Sequence, residues 1–221
     1  DRMCGSLCEA VTLGGKGSGQ KILETLERAN LFLIPLDNQR QWYRYHHLFS
    51  DLLRHRLVKN FALQTEGPDK YINELHIRAS KWYEENALAF EAFRHAADGH
   101  DTERAQRLIS GKNFPRHFSS TVTAILNWLE SLPETEFDDH PSLWLLYASS
   151  LLINGQTTGV EEKLQFAEKA LKSDDQDSQT RMIIGRIASA RATLALTRYD
   201  TTAMIAESVS YTHLTLPTNR E

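Results

Sequence analysis

Apolar residues recur at three- and four-residue steps through most of this 221-residue chain, and the rule breaks in one place, between residues 31 and 45. Met3, Leu7 and Val11 predict a short first helix, interrupted by GGKGSG at 14–19. Lys21 to Ala29 predicts a second, with Ile22, Leu23 and Leu26 on its apolar side. LFLIPL at 31–36 is apolar without helical spacing, and the aromatic-rich QWYRY at 41–45 follows the polar turn Asp37-Asn38-Gln39-Arg40. That pattern predicts a two-stranded hairpin with a four-residue loop, in which Pro35 suits an edge strand. From His46 to Val58 the helical period returns, with Leu48, Leu52 and Leu57 as inward candidates. Helix, helix, hairpin, helix is the outline of a winged-helix unit over residues 1–59.

Beyond Thr65, Gly67 and Pro68 nothing predicts a strand. Asp69 suits the cap of a helix running from Lys70 to Asn86, followed by Leu88 to Ala97, stopped at Asp98-Gly99, and Thr102 to Ser110, closed by Gly111. Further helices are expected at Thr121 to Leu132, from Pro141 (after Asp139 or His140) to Asn154, at Val160 to Ser173, and over about residues 178–198, where Ile183, Ile187, Ala190 and Leu194 share one stripe. Short breaks make neighbouring helices antiparallel. LLINGQ at 151–156 and LTRYD at 196–200 read as helix ends about one repeat length apart, so residues 60–208 are expected to form helical repeats of the tetratricopeptide kind. The expected fold class is mainly α: a winged-helix-like unit with one small β-hairpin, then tetratricopeptide-like antiparallel helical repeats.

Composition supports a folded chain, with 41% hydrophobic and 24% charged residues. No apolar run reaches the roughly 20 residues of a membrane span, and the N-terminus lacks a basic stretch followed by an apolar one, which points to the cytoplasm. The net charge of -4 is no electrostatic match for nucleic acid. Cys4 and Cys8, one helical turn apart, have no third or fourth ligand near them and read as small thiols in a reducing compartment. GGKGSG fails as a phosphate loop, because Gln20 stands where the lysine must be and Lys21 where the hydroxyl must be. His46 and His47 are adjacent, so on a helix they diverge; His76, His95, His100, His117 and His140 lack ligand spacing and read as ordinary polar or capping residues. Glu84-Glu85 and Asp138-Asp139 read as solvated acids. Neither a catalytic residue nor a metal site is expected. A basic aromatic cluster remains: Arg40, Trp42, Arg44, Tyr45, His46, His47, Arg54, His55, Arg56 and Lys59. It is compatible with a DNA contact, a solvated face, or a phosphate contact within a larger protein.

The segment ANLFLIPLDNQRQWYRYHHLFSDLLRHRL at 29–57 resembles the region that follows the ATPase core in MalT-like, LuxR-type ATP-dependent transcriptional regulators. LHIRASKWYEENALAFEAFRHAADGHDTERAQRLI resembles that family's first helical repeat, NWLESLPETEFDDHPSLWLLYASSLLINGQ its next, and IGRIASARATLALTRYD also fits. The resemblance implies a central fragment of such a regulator, coupling a nucleotide-binding core to an inducer- or partner-sensing superhelix. It implies ATP or ADP in the parent protein, though no cofactor in this fragment. The implied partners are an upstream ATPase domain and a downstream helix-turn-helix of the same parent chain, and an inducer or regulatory protein on the repeats, with neither DNA nor membrane bound by the fragment itself. In related signal-transduction ATPases a Met-His-Asp motif contacts the nucleotide phosphates. Tyr45-His46-His47 stands at the equivalent place, with Tyr45 for Met and His47 for Asp, so the resemblance implies a phosphate contact by His46, with Arg44 adding charge. The alternative is an independent helical-repeat interaction protein with a DNA-binding winged helix.

The apolar stripe ends near Ser208, and residues 209–221 resemble translated vector sequence, a non-native tail. Deleting Val209 to Glu221 is expected to move the melting temperature by no more than about one or two degrees, the shift for well under 1 kcal/mol. A calorimetric scan of the shortened chain checks this.

Overall fold

The computed structural model describes residues 2–15, 17–61, 67–115, 119–138, 140–171 and 178–215, with backbone alone for 58, 60, 61, 68, 178, 179 and 199–215. Asp139, His117, Thr65 and the last six residues of the expected tail lie outside that description. Eleven helices and one two-stranded sheet are described, and the chain divides into two compact units, Asp1–Pro115 and Arg116–Glu221. The sequence reading drew its line at residue 59; by packing, the first three helices of the expected repeat region go with the hairpin. Among the described residues no helix is long and apolar enough to cross a membrane.

The first unit opens with α1 (Gly5–Thr12) and α2 (Ser18–Arg28), which cross very closely. A Cβ on Gly19 would lie 2.3 Å from the Gly5 carbonyl oxygen, and one on Gly5 2.6 Å from the Gln20 nitrogen. The expected interhelical loop therefore ends sooner than its glycines suggest, with Gly19 already inside α2. Glu9 accepts a hydrogen bond from the Gly19 N–H at 2.9 Å and so serves an otherwise unpaired donor of the α2 N-terminus. Met3, expected in the first helix, instead makes an antiparallel bridge with Tyr43. The hairpin strands are β1 (Leu33–Pro35) and β2 (Tyr43–Tyr45), in the register Leu33 to Tyr45 and Pro35 to Tyr43. With Met3 on its far side, β2 is central and β1 is the edge, where Pro35 costs no ladder bond. The connection is longer than four residues. Asp37 closes it by accepting from the N–H groups of Gln41 and Trp42 at 2.9 and 2.8 Å, and these bonds hold its carboxyl below the ordinary range. Leu23, Leu33 and Tyr43 form the small core beneath.

Helix α3 (His47–Phe61) departs from expectation. Leu48 and Leu52, expected inward, are 67% and 49% exposed, while the hairpin meets α3 through Phe49, whose ring lies 5.1 Å from Phe32 and 5.5 Å from Tyr45. Helix α4 (Pro68–Glu85) begins after Gly67 (φ 80°) with Pro68 in its first turn, so Asp69 is a first-turn acid rather than the cap. Helix α5 (Ala89–Asp98) folds back on α4, and α6 (Thr102–Ser110) is capped by Asp101, which accepts from the Arg104 N–H at 2.9 Å. Glu84, expected to be solvated, is ion-paired to Arg104 and, at 2.7 Å, to Arg107, which lowers its pKa.

The second unit holds α7 (Ser119–Ser131), the short α8 (Glu134–Asp138), α9 (Pro141–Ile153), α10 (Val160–Ala170) and α11 (Ser178–Thr215). The expected stripe of Ile183, Ile187, Ala190 and Leu194 is buried against Leu145, Ala148, Val160 and Leu164. Arg191 clamps α11 to α10 through Glu161 at 2.9 Å and Glu168 at 2.6 Å. LTRYD ends no helix: α11 continues through Asp200 to Thr215, past Ser208, where the apolar spacing stops. The sequence carries no Gly or Pro there to stop it.

Substituting Gly19 by Ala tests the α1–α2 crossing. Helix propensity alone favours Ala by about 1 kcal/mol. The clash with the Gly5 carbonyl outweighs it, so Gly19→Ala is expected to lower the unfolding free energy by about 1–3 kcal/mol. Urea denaturation gives the sign directly.

Candidate functional site

The hairpin delivers the two residues singled out from the sequence to different surroundings. His46 follows β2 and sits just before α3. Its N–H donates to the Phe32 carbonyl at 2.8 Å, and its own carbonyl accepts from Phe49 and Ser50 at 3.0 Å, which makes it the N-cap residue. Because it lies outside the helix, its ring does not diverge from His47 as two helical residues would; the rings approach to 4.3 Å between centroids. Both side chains are exposed at a helix N-terminus, where unpaired backbone N–H groups favour an anion. Around them lies exposed apolar surface: Phe32 (59% exposed), Leu31, Leu48 and Leu52.

Arg44 contributes instead to the wall of a cavity of about 730 Å³ in the first unit, which His46 does not line. Four elements supply cations to that wall: Arg2 from the N-terminal segment, Arg44 from β2, Arg54 from α3 and Arg94 from α5. Glu91 and Asp98 of α5 oppose them. Arg2 pairs with Glu91 and lies over the Trp42 ring at 5.0 Å, while Tyr83 donates its hydroxyl to the Arg2 carbonyl at 3.2 Å. Arg54 pairs with Asp51 at 3.1 Å. The basic aromatic cluster is thus no single face, since Arg44 and Arg54 line the cavity and Arg40 pairs with Glu27 at 3.5 Å.

His76 and His95 stand in the same wall with their Nδ1 atoms 3.0 Å apart, and the His95 ring stacks on Tyr83 at 5.2 Å. Burial pushes the His95 imidazole down to about 4, helped by His76 beside it. His76 is lowered too, chiefly by burial, with Asp98 at 3.9 Å opposing. Both rings are neutral at pH 7, and one Nδ1–H donates to the other Nδ1. Sequence reading missed this pair because 19 positions separate its members. The signal available was only coarse: a turn as short as 86–88 makes α4 and α5 antiparallel neighbours, which brings the two helices' interior positions together without saying which residues meet. Cys4 is buried and Cys8 half-buried, both as free thiols, with burial raising the Cys8 pKa. Among the described residues no group of three His, Cys, Asp or Glu side chains gathers to hold a metal.

The histidine pair makes stability pH-dependent. Unfolded His95 takes up its proton near 6.5, whereas the folded ring does so only near 4. Between those values the unfolded chain binds more protons, so the contribution is whole above pH 6.5 and is lost as pH falls toward 4. Wild type is expected to lose roughly 2 kcal/mol of unfolding free energy from this source between pH 7 and 4.5, and His95→Gln to lose that much less. Urea titrations of both chains at the two pH values measure the difference.

Comparison with known proteins agrees with this geometry. Residues 1–65 match the family model described as the MalT winged helix domain. The chain is 34% identical over 133 residues to the serine/threonine-protein kinase PknK of Mycobacterium tuberculosis, an alignment covering 60% of this chain and 11% of the kinase. It is 28% identical over 186 residues to the HTH-type transcriptional regulator MalT of Cronobacter sakazakii and 27% identical over 186 to that of Serratia proteamaculans, covering 84% of this chain in both cases and 19% and 20% of those regulators. It therefore spans between about a tenth and a fifth of the length of these relatives. No solved structure matches it. The helix-helix-hairpin-helix order of residues 1–61 and the family match identify the head of the chain as a MalT winged helix domain, and the likeness to MalT regulators runs on over 84% of the chain.

Proposed function

We propose that this segment couples a nucleotide-binding ATPase core to a sensing superhelix within a larger cytoplasmic regulator, and that it catalyses nothing itself. The observation that carries the reading is the surface at His46: an N-cap histidine at a helix N-terminus, with exposed Phe32 bonded to it through the backbone and exposed Leu48 and Leu52 on the helix that it caps. Apolar side chains left uncovered around an anion-favouring helix end suit a docked neighbour that presents a phosphate. That neighbour is the ATPase domain of the same parent chain, and the phosphate belongs to its ATP or ADP. The helices that follow supply, as tetratricopeptide-like repeats, the surface for an inducer or regulatory protein. A LuxR-type helix-turn-helix elsewhere in the parent delivers the output, so the segment makes no DNA contact of its own. The relatives support this division of labour. One is named for kinase activity and the other for transcriptional regulation, so the stretch they share with this chain is not the element that sets the output.

The contact is tested at His46. An imidazole donating to a phosphate oxygen is a charge-assisted bond worth about 1.5–3 kcal/mol, or roughly ten- to a hundredfold in affinity. In the full-length parent, His46→Ala is expected to weaken ADP binding by that factor and to raise transcription in the absence of inducer. Calorimetry with ADP and a reporter assay measure the two effects; wild-type values in both would make His46 a packing residue and remove the nucleotide role.

A further inference from the structure

We propose that the arginine-lined cavity of the first unit is a binding site for a small organic phosphate, its phosphoryl head among Arg44, Arg54 and Arg94 and its apolar body in the slot beside α1. This site is separate from the nucleotide contact at His46, which does not line the cavity.

The case begins with charge. Four guanidinium groups and two carboxylates, Glu91 and Asp98, line the wall, and Asp51 pairs with Arg54 from outside it, so the balance is still positive and no change of arginine protonation relieves it. Arg44 makes no ion pair among the described residues. The three arginines assigned to the head come from β2, α3 and α5, so they reach the space from separate directions, as a tetrahedral oxyanion requires and a planar carboxylate does not. The volume, about 730 Å³, is that of a small-molecule site, for which about 300–1,000 Å³ is usual.

The histidine pair adds a donor. Where one neutral ring gives its Nδ1–H to the other, the accepting ring carries its own proton on Nε2, which leaves an N–H free to donate to an anion.

The apolar half rests on a second observation. A slot of about 270 Å³ between α1 and α4, lined by Leu7, Val11, Leu75 and Ala79, shares Arg2, His76, Tyr83 and His95 with the arginine cavity. The shared wall places a largely apolar recess next to a cationic one, which fits a ligand with an anionic head and a hydrocarbon or aromatic body. Inorganic phosphate fills only the first. A ligand across both touches α1, β2, α3, α4 and α5, and so ties the winged-helix elements to the first helical pair.

Calorimetric titration of the whole chain tests this with phenyl phosphate, inorganic phosphate and benzyl alcohol. Phenyl phosphate is expected to bind saturably in the millimolar range or tighter, about tenfold more tightly than inorganic phosphate, with benzyl alcohol weaker than either. Arg44→Gln and Arg94→Gln are expected to weaken phenyl phosphate by about tenfold each, and Arg28→Gln, an exposed charge on α2 that does not line the cavity, to leave it unchanged. Circular dichroism melts of the variants confirm that they fold; Arg44 is exposed, so its variant keeps the packing intact. Three results overturn the proposal: no saturable binding by phenyl phosphate, affinity unmoved by both Arg44→Gln and Arg94→Gln, or affinity lowered as much by Arg28→Gln as by those two. Equal affinity for phenyl and inorganic phosphate overturns the apolar half.

Discussion

The hydroxyl of Ser80 is fully buried, donates to the Ala92 carbonyl at 2.7 Å and accepts from Arg104 Nε at 2.8 Å. That one group joins α4, α5 and α6. It can do so because buried residues of α4 and α5 are small, among them Ala79, Ser80, Ala92 and Ala96, and Gly99 leaves room for the His76 Cβ, which an added methyl would meet at 3.1 Å. A buried hydroxyl without both partners would cost the desolvation of a polar group, so the three helices are held in one arrangement rather than merely collapsed together. The rest of the first unit hangs from α4. Arg78 donates to the Val11 carbonyl of α1 at 3.2 Å, Tyr83 donates to the Arg2 carbonyl, and Trp82 meets Trp42 edge-on at 6.2 Å.

That arrangement explains why chemistry gathers beside α4 and not at the motifs that stand out in the sequence. Close approach of α4 and α5 forces His76 and His95 together and keeps them neutral, and it leaves the longer arginines of β2, α3 and α5 to surround the space above. Paired His46 and His47 catch the eye as letters but sit at the surface, with the winged helix presenting them outward among uncovered apolar side chains. The unit therefore shows two distinct faces, a cationic recess turned toward its own helical pair and an open helix end suited to a neighbour.

Helix α3 and the 14–19 segment mark where pattern reading stops. The spacing of Leu48, Leu52 and Leu57 has the helical period and gives α3 correctly as a helix, yet period alone says only that one face is apolar, not that anything covers it. The last glycine of GGKGSG is read as loop when it is a helix–helix contact. A glycine required for a close crossing and one required for a turn look alike until the second helix is in place. Glu84 gives the same lesson with charge, since its partners Arg104 and Arg107 lie 20 and 23 residues away.

What the sequence determined by itself is local or family-borne. The helix-helix-hairpin-helix order, the end of α4 at Asn86, the edge position of Pro35 and the buried stripe of α11 follow from propensities and spacings within a few turns of chain, and the MalT-like character of the first segment from its resemblance to that family. Tertiary structure alone decided which apolar face stays open, which acids are paired, and that Arg44 parts company with His46 to join Arg2, Arg54, Arg94 and two neutral histidines. The reason is that these properties depend on the distance between segments far apart in sequence, and that distance is set by packing volume, here by the small residues that let α5 lie against α4.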